Sequence, residues 1–206
     1  HGRVAWSPAL HLTLEATLQQ FDPSYFVPDL PGALDAQLAV DGGLADAGPF
    51  GELRLEGLAG QLRGRRVAGS ARASLQRDGR GNGELDLRLG QTHVHGQGRW
   101  QDEFDIELAL APLDLADLLP EAGGKLDGSL TLRGARDTPS VSVHLDGERL
   151  ALAGQTAQRL ELRAGVQAWT RGSISVEAQA LQLAGQDVAT LTLSGEGSRA
   201  AHDVSL

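Results

Sequence analysis

Two histidines at alternate positions are the first feature of the chain that could do chemistry. His93 and His95 are one residue apart, so a strand would present both imidazoles on one face, an arrangement compatible with a metal site. No third ligand stands in the neighbouring sequence, and the pair adjoins Gly90 and Gly96 near a turn. We interpret the two residues as solvated strand histidines and expect no metal site.

Three carboxylates, Glu103, Asp105 and Glu107, also alternate along the chain. Alternation puts them on the water-facing side of a strand, where they increase solubility rather than form an acid/base pair. The sequence has no Gly-x-Ser-x-Gly elbow, phosphate loop or His-Glu-x-x-His motif. It also has no cysteine, which excludes thiol catalysis and cysteine-bound zinc. We therefore expect a protein that is not an enzyme and has no cofactor.

Composition narrows the class of partner. The net charge is −9, from 18 Lys and Arg against 27 Asp and Glu, which argues against binding to nucleic acid or to anionic lipid headgroups. The 206 residues are 41% apolar but only 4% aromatic, with 27 glycines, a mix that favours many short strands. No apolar run reaches the length of about 20 residues that a membrane span needs. We expect any anchor or targeting segment to lie outside this chain.

Strict alternation of apolar and polar residues dominates from Gly32 onward, and period two is typical of strands with one apolar face. Turn signals such as Asp41-Gly42-Gly43 and Asp146-Gly147 separate the runs. The sequence therefore predicts an antiparallel sheet of many strands. The residues predicted to line its apolar face are Leu34, Leu38, Val40, Leu53, Leu55, Leu85, Leu87, Leu89, Ile106, Leu108, Leu110, Leu126, Leu130, Leu132, Val141, Val143, Leu145, Leu160, Leu162, Val166, Ile174, Val176, Leu191 and Leu193.

Two segments break this alternation and predict short helices at about residues 22–27 and 114–119. Asp22 and Asp114 stand at the helix N-cap positions. A shift of 92 positions superposes the two segments and the strands that follow them, so the chain contains an internal repeat. We predict two repeat-like units, residues 1–112 and 113–206, within one continuous structural domain.

Aromatic residues are few and stand near the ends of the predicted strands. Each tryptophan precedes a strand and is interpreted as a packing anchor at an edge or turn, with contact to a lipid headgroup or a partner as the alternative: Trp6, Trp100 and Trp169. Three others surround the first helical segment and are interpreted as packing of that helix on the sheet: Phe21, Tyr25 and Phe26.

The apolar face of such a sheet must be covered, and two coverings are open. In a β-sandwich the face would pack on a second sheet. In an open trough a ligand would cover it. The smooth Leu, Val, Ile and Ala lining favours the trough, because acyl chains need apolar area without directional contacts, at about 0.8 kcal/mol per buried methylene.

The second repeat resembles a known family. Its pattern is Gly124-x-Leu126-x-Gly128-x-Leu130-x-Leu132-x-Gly134, followed by Pro139 and preceded by the Leu-Asp-Leu…Leu-Pro helix. This resembles the repeat of the TamB family, within the AsmA-like bridge-like lipid-transfer proteins. The first copy, from Phe21 to Gly42, is similar but looser, with Ala36 in place of Gly128.

The resemblance implies a fold, a location and partners. The fold would be an elongated, twisted antiparallel sheet folded into a β-taco with an open hydrophobic trough. Family members are anchored in the inner membrane of Gram-negative bacteria, by a segment absent from this chain, and span the periplasm. They act with an Omp85-type outer-membrane barrel, TamA, through parts of the parent protein outside this chain. They are implicated in phospholipid transport and in the assembly of outer-membrane proteins such as autotransporters.

We therefore predict a periplasmic segment that carries phospholipid acyl chains through a hydrophobic groove between the two membranes, without binding nucleic acid. The first alternative is a chaperone-like surface for outer-membrane proteins, which would pair their strands with a free sheet edge. The second alternative is a structural spacer whose apolar face is fully self-packed. A continuous groove, a free edge and a filled core distinguish the three functions.

Overall fold

The computed structural model describes residues 2–5, 10–45, 48–119, 121–183, 185–198 and 202–205. The chain divides into two compact units, His1–Asp102 and Glu103–Leu206, which we call the N-terminal unit and the C-terminal unit. The division falls before the predicted boundary at residues 112 and 113, because the strand that begins at Glu103 pairs with the strand after it. The prediction of two repeat-like units in one continuous domain stays a prediction.

The N-terminal unit is an antiparallel meander in which each strand pairs with the next along the chain. No pairing between described residues joins its first strand to its last. Its strands are β1 (Gly2–Ala5), β2 (Leu10–Phe21), β3 (Gly32–Ala45), β4 (Gly48–Leu62), β5 (Arg65–Leu75), β6 (Gly81–Leu89) and β7 (Thr92–Trp100).

The C-terminal unit has the same antiparallel order. Its elements are β8 (Glu103–Asp114), α1 (Leu115–Leu118), β9 (Gly123–Ala135), β10 (Ser140–Leu152), β11 (Gln155–Gln167), β12 (Arg171–Leu183), β13 (Gln186–Ser198) and β14 (His202–Ser205). Together the two units confirm the predicted all-β fold of antiparallel strands that do not close into a barrel.

Both predicted helical segments are present and very short. A 3-10 helix, Pro23–Tyr25, follows β2, and the single turn of α1 follows β8. The Asp22 carboxylate accepts a hydrogen bond from the Ser24 amide at 2.9 Å, and Asp114 accepts one from the Ala116 amide at 3.0 Å. Each carboxylate therefore satisfies an amide that the helix leaves without an internal partner.

The packing on the sheet predicted for the aromatic residues of the first segment is wrong for Tyr25 and Phe26. Tyr25 is 86% exposed and Phe26 is 79% exposed. Phe26 has a tilted contact with Phe21, at 6.1 Å between ring centroids. The single 3-10 turn ends at Tyr25, with Phe26 as its C-cap, and does not place either ring over the sheet, so both rings face water.

The two copies of the repeat carry the same register shift. In the first copy, β2 pairs with β3 at Leu18 opposite Ala36 and then at Phe21 opposite Leu34. Adding 92 to these residue numbers gives Leu110 opposite Gly128 and Leu113 opposite Leu126. These are the two pairs on either side of the change of register between β8 and β9. The repeat is therefore one of strand geometry as well as of residue identity.

These shifts are β-bulges, in which an extra residue bends the strand and increases its twist. Further bulges and positive-φ residues follow on neighbouring strands, at Gly57 (φ 61°), Gly124 (φ 95°), Arg149 (φ 50°) and Ala180 (φ 48°). The few buried apolar residues of the described chain include several close to these bends: Ala36, Val67, Ala122, Ala178 and Leu181.

The Asp22 cap predicts a local dependence on pH. The Ser24 amide holds the pKa of the Asp22 carboxyl below its usual range, and the Gly32 amide, at 3.1 Å from the same oxygen, acts in the same direction. Because the pKa is lower in the folded chain, the stabilisation is complete above about pH 3.9 and is lost as the pH falls through the folded pKa.

We expect the Ser24 and Gly32 amides to lose protection from hydrogen exchange, relative to an unstructured chain at the same pH, as the pH drops through the folded pKa of Asp22. Asp22→Asn is the control, since its side-chain oxygen accepts the same hydrogen bonds but does not titrate. Protection that falls equally in both proteins would contradict the role given to Asp22.

Candidate functional site

The predicted lining residues of the C-terminal unit lie in register on one face of the sheet. Cross-strand pairing joins Leu108, Leu130 and Val143 into a row that continues to Ile174 on β12. Parallel rows lie on either side of it. They are Ile106, Leu132, Val141 and Val166; Leu110, Leu145, Leu162, Val176 and Leu193; and Leu126, Leu160 and Leu191.

The N-terminal unit has a similar face with a valley along it. Leu38 is opposite Leu55 and Val40 is opposite Leu53 across β3 and β4, and Leu34 lies further along β3. The next strand, β5, places Ala73 opposite Leu53 and Ala71 opposite Leu55 on this face. Beyond it, β6 presents Leu85, Leu87 and Leu89. Leucines thus stand on both sides of a strip of small residues.

Protein covers the predicted lining residues of this face only in part. None of the predicted lining residues is fully buried, and three of them are exposed: Leu53, Leu130 and Ile174. Burying a leucine or isoleucine completely contributes about 1.5–3 kcal/mol, and a β-sandwich would obtain most of that for each of these positions. The described residues include no second sheet packed on the apolar face within either unit.

The opposite face carries cross-strand ion pairs. Arg72 on β5 is 2.9 Å from Glu56 and 3.4 Å from Glu84. Arg133 on β9 pairs with both Asp105 and Glu107, two of the carboxylates predicted to lie on the water-facing side. All of these groups are well exposed, so each pair contributes at most about 1 kcal/mol. Their effect is to keep this face hydrated and the two faces chemically distinct.

The two histidines singled out in the sequence lie on this polar face. The rings of His93 and His95 are 5.2 Å apart, and His93 Nε2 is 3.2 Å from Asp86 Oδ2. In the described part of the chain, no group of three or more histidine, aspartate or glutamate side chains is placed to hold a metal ion.

The three tryptophans differ in their surroundings. Trp100, at the end of β7, lies against the backbone of β6, and Gly81 and Gly83 there leave room for its ring. Trp169 is half exposed in the turn between β11 and β12, where Ala168 and Trp169 both have positive φ. Trp6 lies outside the described residues.

Two cavities stand out, one in each unit. In the N-terminal unit a cavity of about 640 Å³ opens on the apolar face, and leucines and Trp100 provide most of its side-chain lining. In the C-terminal unit a groove of about 1090 Å³ opens on the polar face. Its polar side chains include Ser142, Arg163 and Ser175. Sequence alternation identified the apolar face but gave no sign that one part of it is hollow.

Comparison with known proteins gives a consistent result. The family described as TamB, N-terminal domain, matches residues 1–206. The chain is 21% identical over 201 residues to the translocation and assembly module subunit TamB of Haemophilus influenzae. That match covers 95% of this chain and 16% of the relative, so the chain spans only about a sixth of the relative's length. No solved structure matches the chain. Within the described residues, no helix is long and apolar enough to cross a membrane.

Proposed function

Because the chain belongs to the TamB N-terminal domain family, we propose that it is one segment of a bridge that carries phospholipid acyl chains across the periplasm. The observation that supports this proposal most strongly is the open apolar face. Rows of Leu, Val and Ile lie in register on each unit, and protein covers none of the predicted lining residues completely.

The mechanism would be passive and would require neither an enzyme nor a cofactor. Each methylene that leaves water for the leucine lining gains about 0.8 kcal/mol, wherever along the face it lies. A chain can therefore slide with little change in free energy. The headgroup stays in water at the open side of the groove, because an apolar face offers it no hydrogen-bonding partner.

The strand pairing favours lipid over polypeptide as the cargo. Strands β3 to β6 and β9 to β12 are each hydrogen-bonded to a neighbour on both sides. A client strand needs unpaired backbone groups to add to a sheet, and these strands offer none. Acyl chains need only apolar area.

In this proposal the parent protein is anchored in the inner membrane of a Gram-negative bacterium by a segment outside this chain. Its far end would meet an Omp85-type outer-membrane barrel, TamA, through other parts of the protein. The biological result would be delivery of phospholipid for biogenesis of the outer membrane, and through it an effect on the assembly of outer-membrane proteins.

The experiment is native mass spectrometry, with lipid extraction, of the chain expressed in the periplasm of a Gram-negative bacterium. We expect phospholipid to copurify with the folded chain. A chain that is free of lipid and highly stable would contradict the proposal and would favour the self-packed spacer. Copurifying outer-membrane polypeptide without lipid would favour the chaperone-like surface.

A further inference from the structure

The lining of the N-terminal unit contains a pronounced hollow. A cavity of about 640 Å³ lies on the apolar face near one end of strands β2 to β5. This volume is within the range of roughly 300–1,000 Å³ that small-molecule pockets occupy. The side chains around it that point to the apolar face include Leu10, Leu12, Leu44, Leu53, Leu75 and Trp100. Asp41, Glu52 and Ser74 also border it, but alternation turns their side chains to the polar face.

Small residues form the floor of the cavity. Leu12 is opposite Gly42, which is opposite Gly51, which is opposite Leu75, so two glycines lie between two leucines in one row. A side-chain carbon added at Gly51 would be 2.6 Å from the Cα of Gly42, so the two backbones lie too close for side chains. In the next row Ala73 is opposite Leu53, which keeps the floor low.

Trp100 supplies a wall. A carbon added at Gly81 would be 2.4 Å from the indole Nε1 of Trp100, and one added at Gly83 would be 3.3 Å from the far edge of the ring. The indole therefore lies flat across the glycines of β6 and borders the cavity on the side away from β2. Tryptophan provides a large, rigid apolar surface at low cost in conformational entropy.

The chemistry of the cavity selects its occupant. Strands β3 and β4 beneath it are hydrogen-bonded on both sides, so a peptide bound over them would leave its own backbone groups unpaired, at a cost of at least about 1–3 kcal/mol each. An acyl chain carries no such groups. A flexible chain can also follow a hollow into which, among the described residues, no polar side chain points.

We propose that this cavity is a discrete seat for an acyl chain, where a chain pauses instead of sliding over a uniform lining. The inference rests on the proposed function and deepens it by locating a preferred site. It makes Trp100 a residue that touches the ligand and Ala73 a residue that sets the depth of the seat.

Quenching of tryptophan fluorescence by a brominated chain tests the proposal, because bromine quenches an indole only on close contact. The probe is dibrominated stearic acid below its micelle-forming concentration, added to the 206-residue chain with Trp6→Phe and Trp169→Phe. We expect saturable quenching of the remaining Trp100. A matching protein that retains only Trp169 should show no saturable quenching.

A matched pair of substitutions tests the depth of the seat. Ala73→Leu should fill the floor and raise the half-saturating probe concentration about tenfold, which corresponds to about 1.4 kcal/mol. Ala71→Leu is on the same strand and the same face but outside the cavity, and should change that concentration less than about twofold. Circular dichroism checks that both variants fold. If they do not, the comparison of the two single-tryptophan proteins still tests the proposal, because it needs no substitution in the cavity floor.

The possible outcomes distinguish the proposed acyl-chain seat from the proposed function in lipid transport. Equal quenching of Trp100 and Trp169, or equal effects of Ala73→Leu and Ala71→Leu, would overturn the seat. If phospholipid still copurifies with the chain in that case, the proposed function stands without it. If neither quenching nor copurifying phospholipid is found, both proposals fail.

Discussion

Leu130→Asp should remove the phospholipid that copurifies on the apolar face of the C-terminal unit and leave the chain folded. Leu130 is at the centre of the apolar row between Leu108 and Val143, and it is 36% exposed. A carboxylate there can reach water, so the expected loss of stability is only the lost leucine burial, about 1–2 kcal/mol. Any acyl chain crossing that row, however, would have to desolvate a charge, which costs far more than its methylenes gain. We expect mass spectrometry to show at least a tenfold loss of the phospholipid bound to this face, whereas phospholipid held in the cavity of the N-terminal unit should remain.

Ser129→Asp is the matched control for this substitution. It adds the same charge one residue away, but alternation places residue 129 on the polar face, where it is exposed. Bound lipid should be unchanged. Unfolding of the Leu130→Asp chain would indicate a closed core at this position, and loss of lipid in both variants would indicate an effect of net charge alone.

The largest loss of stability is expected from Ala178→Asp. Ala178 is 1% exposed and lies opposite Leu160 and Leu191 close to the bend in β12. A carboxylate at this position would be buried without a partner, at a cost of about 4 kcal/mol or more. We expect the C-terminal unit to unfold at a much lower urea concentration, as measured by circular dichroism and by Trp169 fluorescence.

The same change two residues later provides the control. Ala180 is exposed and has a φ of 48°, a left-handed conformation that aspartate tolerates better than alanine. The stability of Ala180→Asp should stay within about 0.5 kcal/mol of the parent chain or rise slightly. Similar destabilisation by both substitutions would mean that the small core is not located near this bend.

Sequence alternation was sufficient to predict which residues share the apolar face. Period two fixes the face of each residue between bulges, so that Leu108, Leu130 and Val143 could be assigned to one side. The predicted turn signals were wrong, because Asp41-Gly42-Gly43 lies within β3 and Asp146-Gly147 lies within β10. The N-cap aspartates similarly predicted the position of both short helices, because a carboxylate next to free amides has one favourable arrangement.

The alternating pattern could not predict the depth of the cavity or how closely residues of different strands pack. Gly42 and Gly51 lie in different strands, and only the register between β3 and β4 brings them together as a cavity floor. The position of Trp100 over Gly81 depends in the same way on the pairing of β6 with β7. The exposure of Tyr25 and Phe26 depends on the length of the helical turn, which no local residue preference determined.

The shared register shift has a consequence for how such a chain changes over evolutionary time. Inserting one residue into a strand reverses the face of every side chain beyond it, so random insertions would scramble the lining. Each copy of the repeat carries its own bulge next to the corresponding pair, Leu18 with Ala36 in the first copy and Leu110 with Gly128 in the second. Duplicating or deleting a whole copy would therefore keep the apolar side chains of the remaining strands on the same face. The length of the protein can then vary by copy number, as a matter of gene duplication, without any change in the chemistry of the residues that remain.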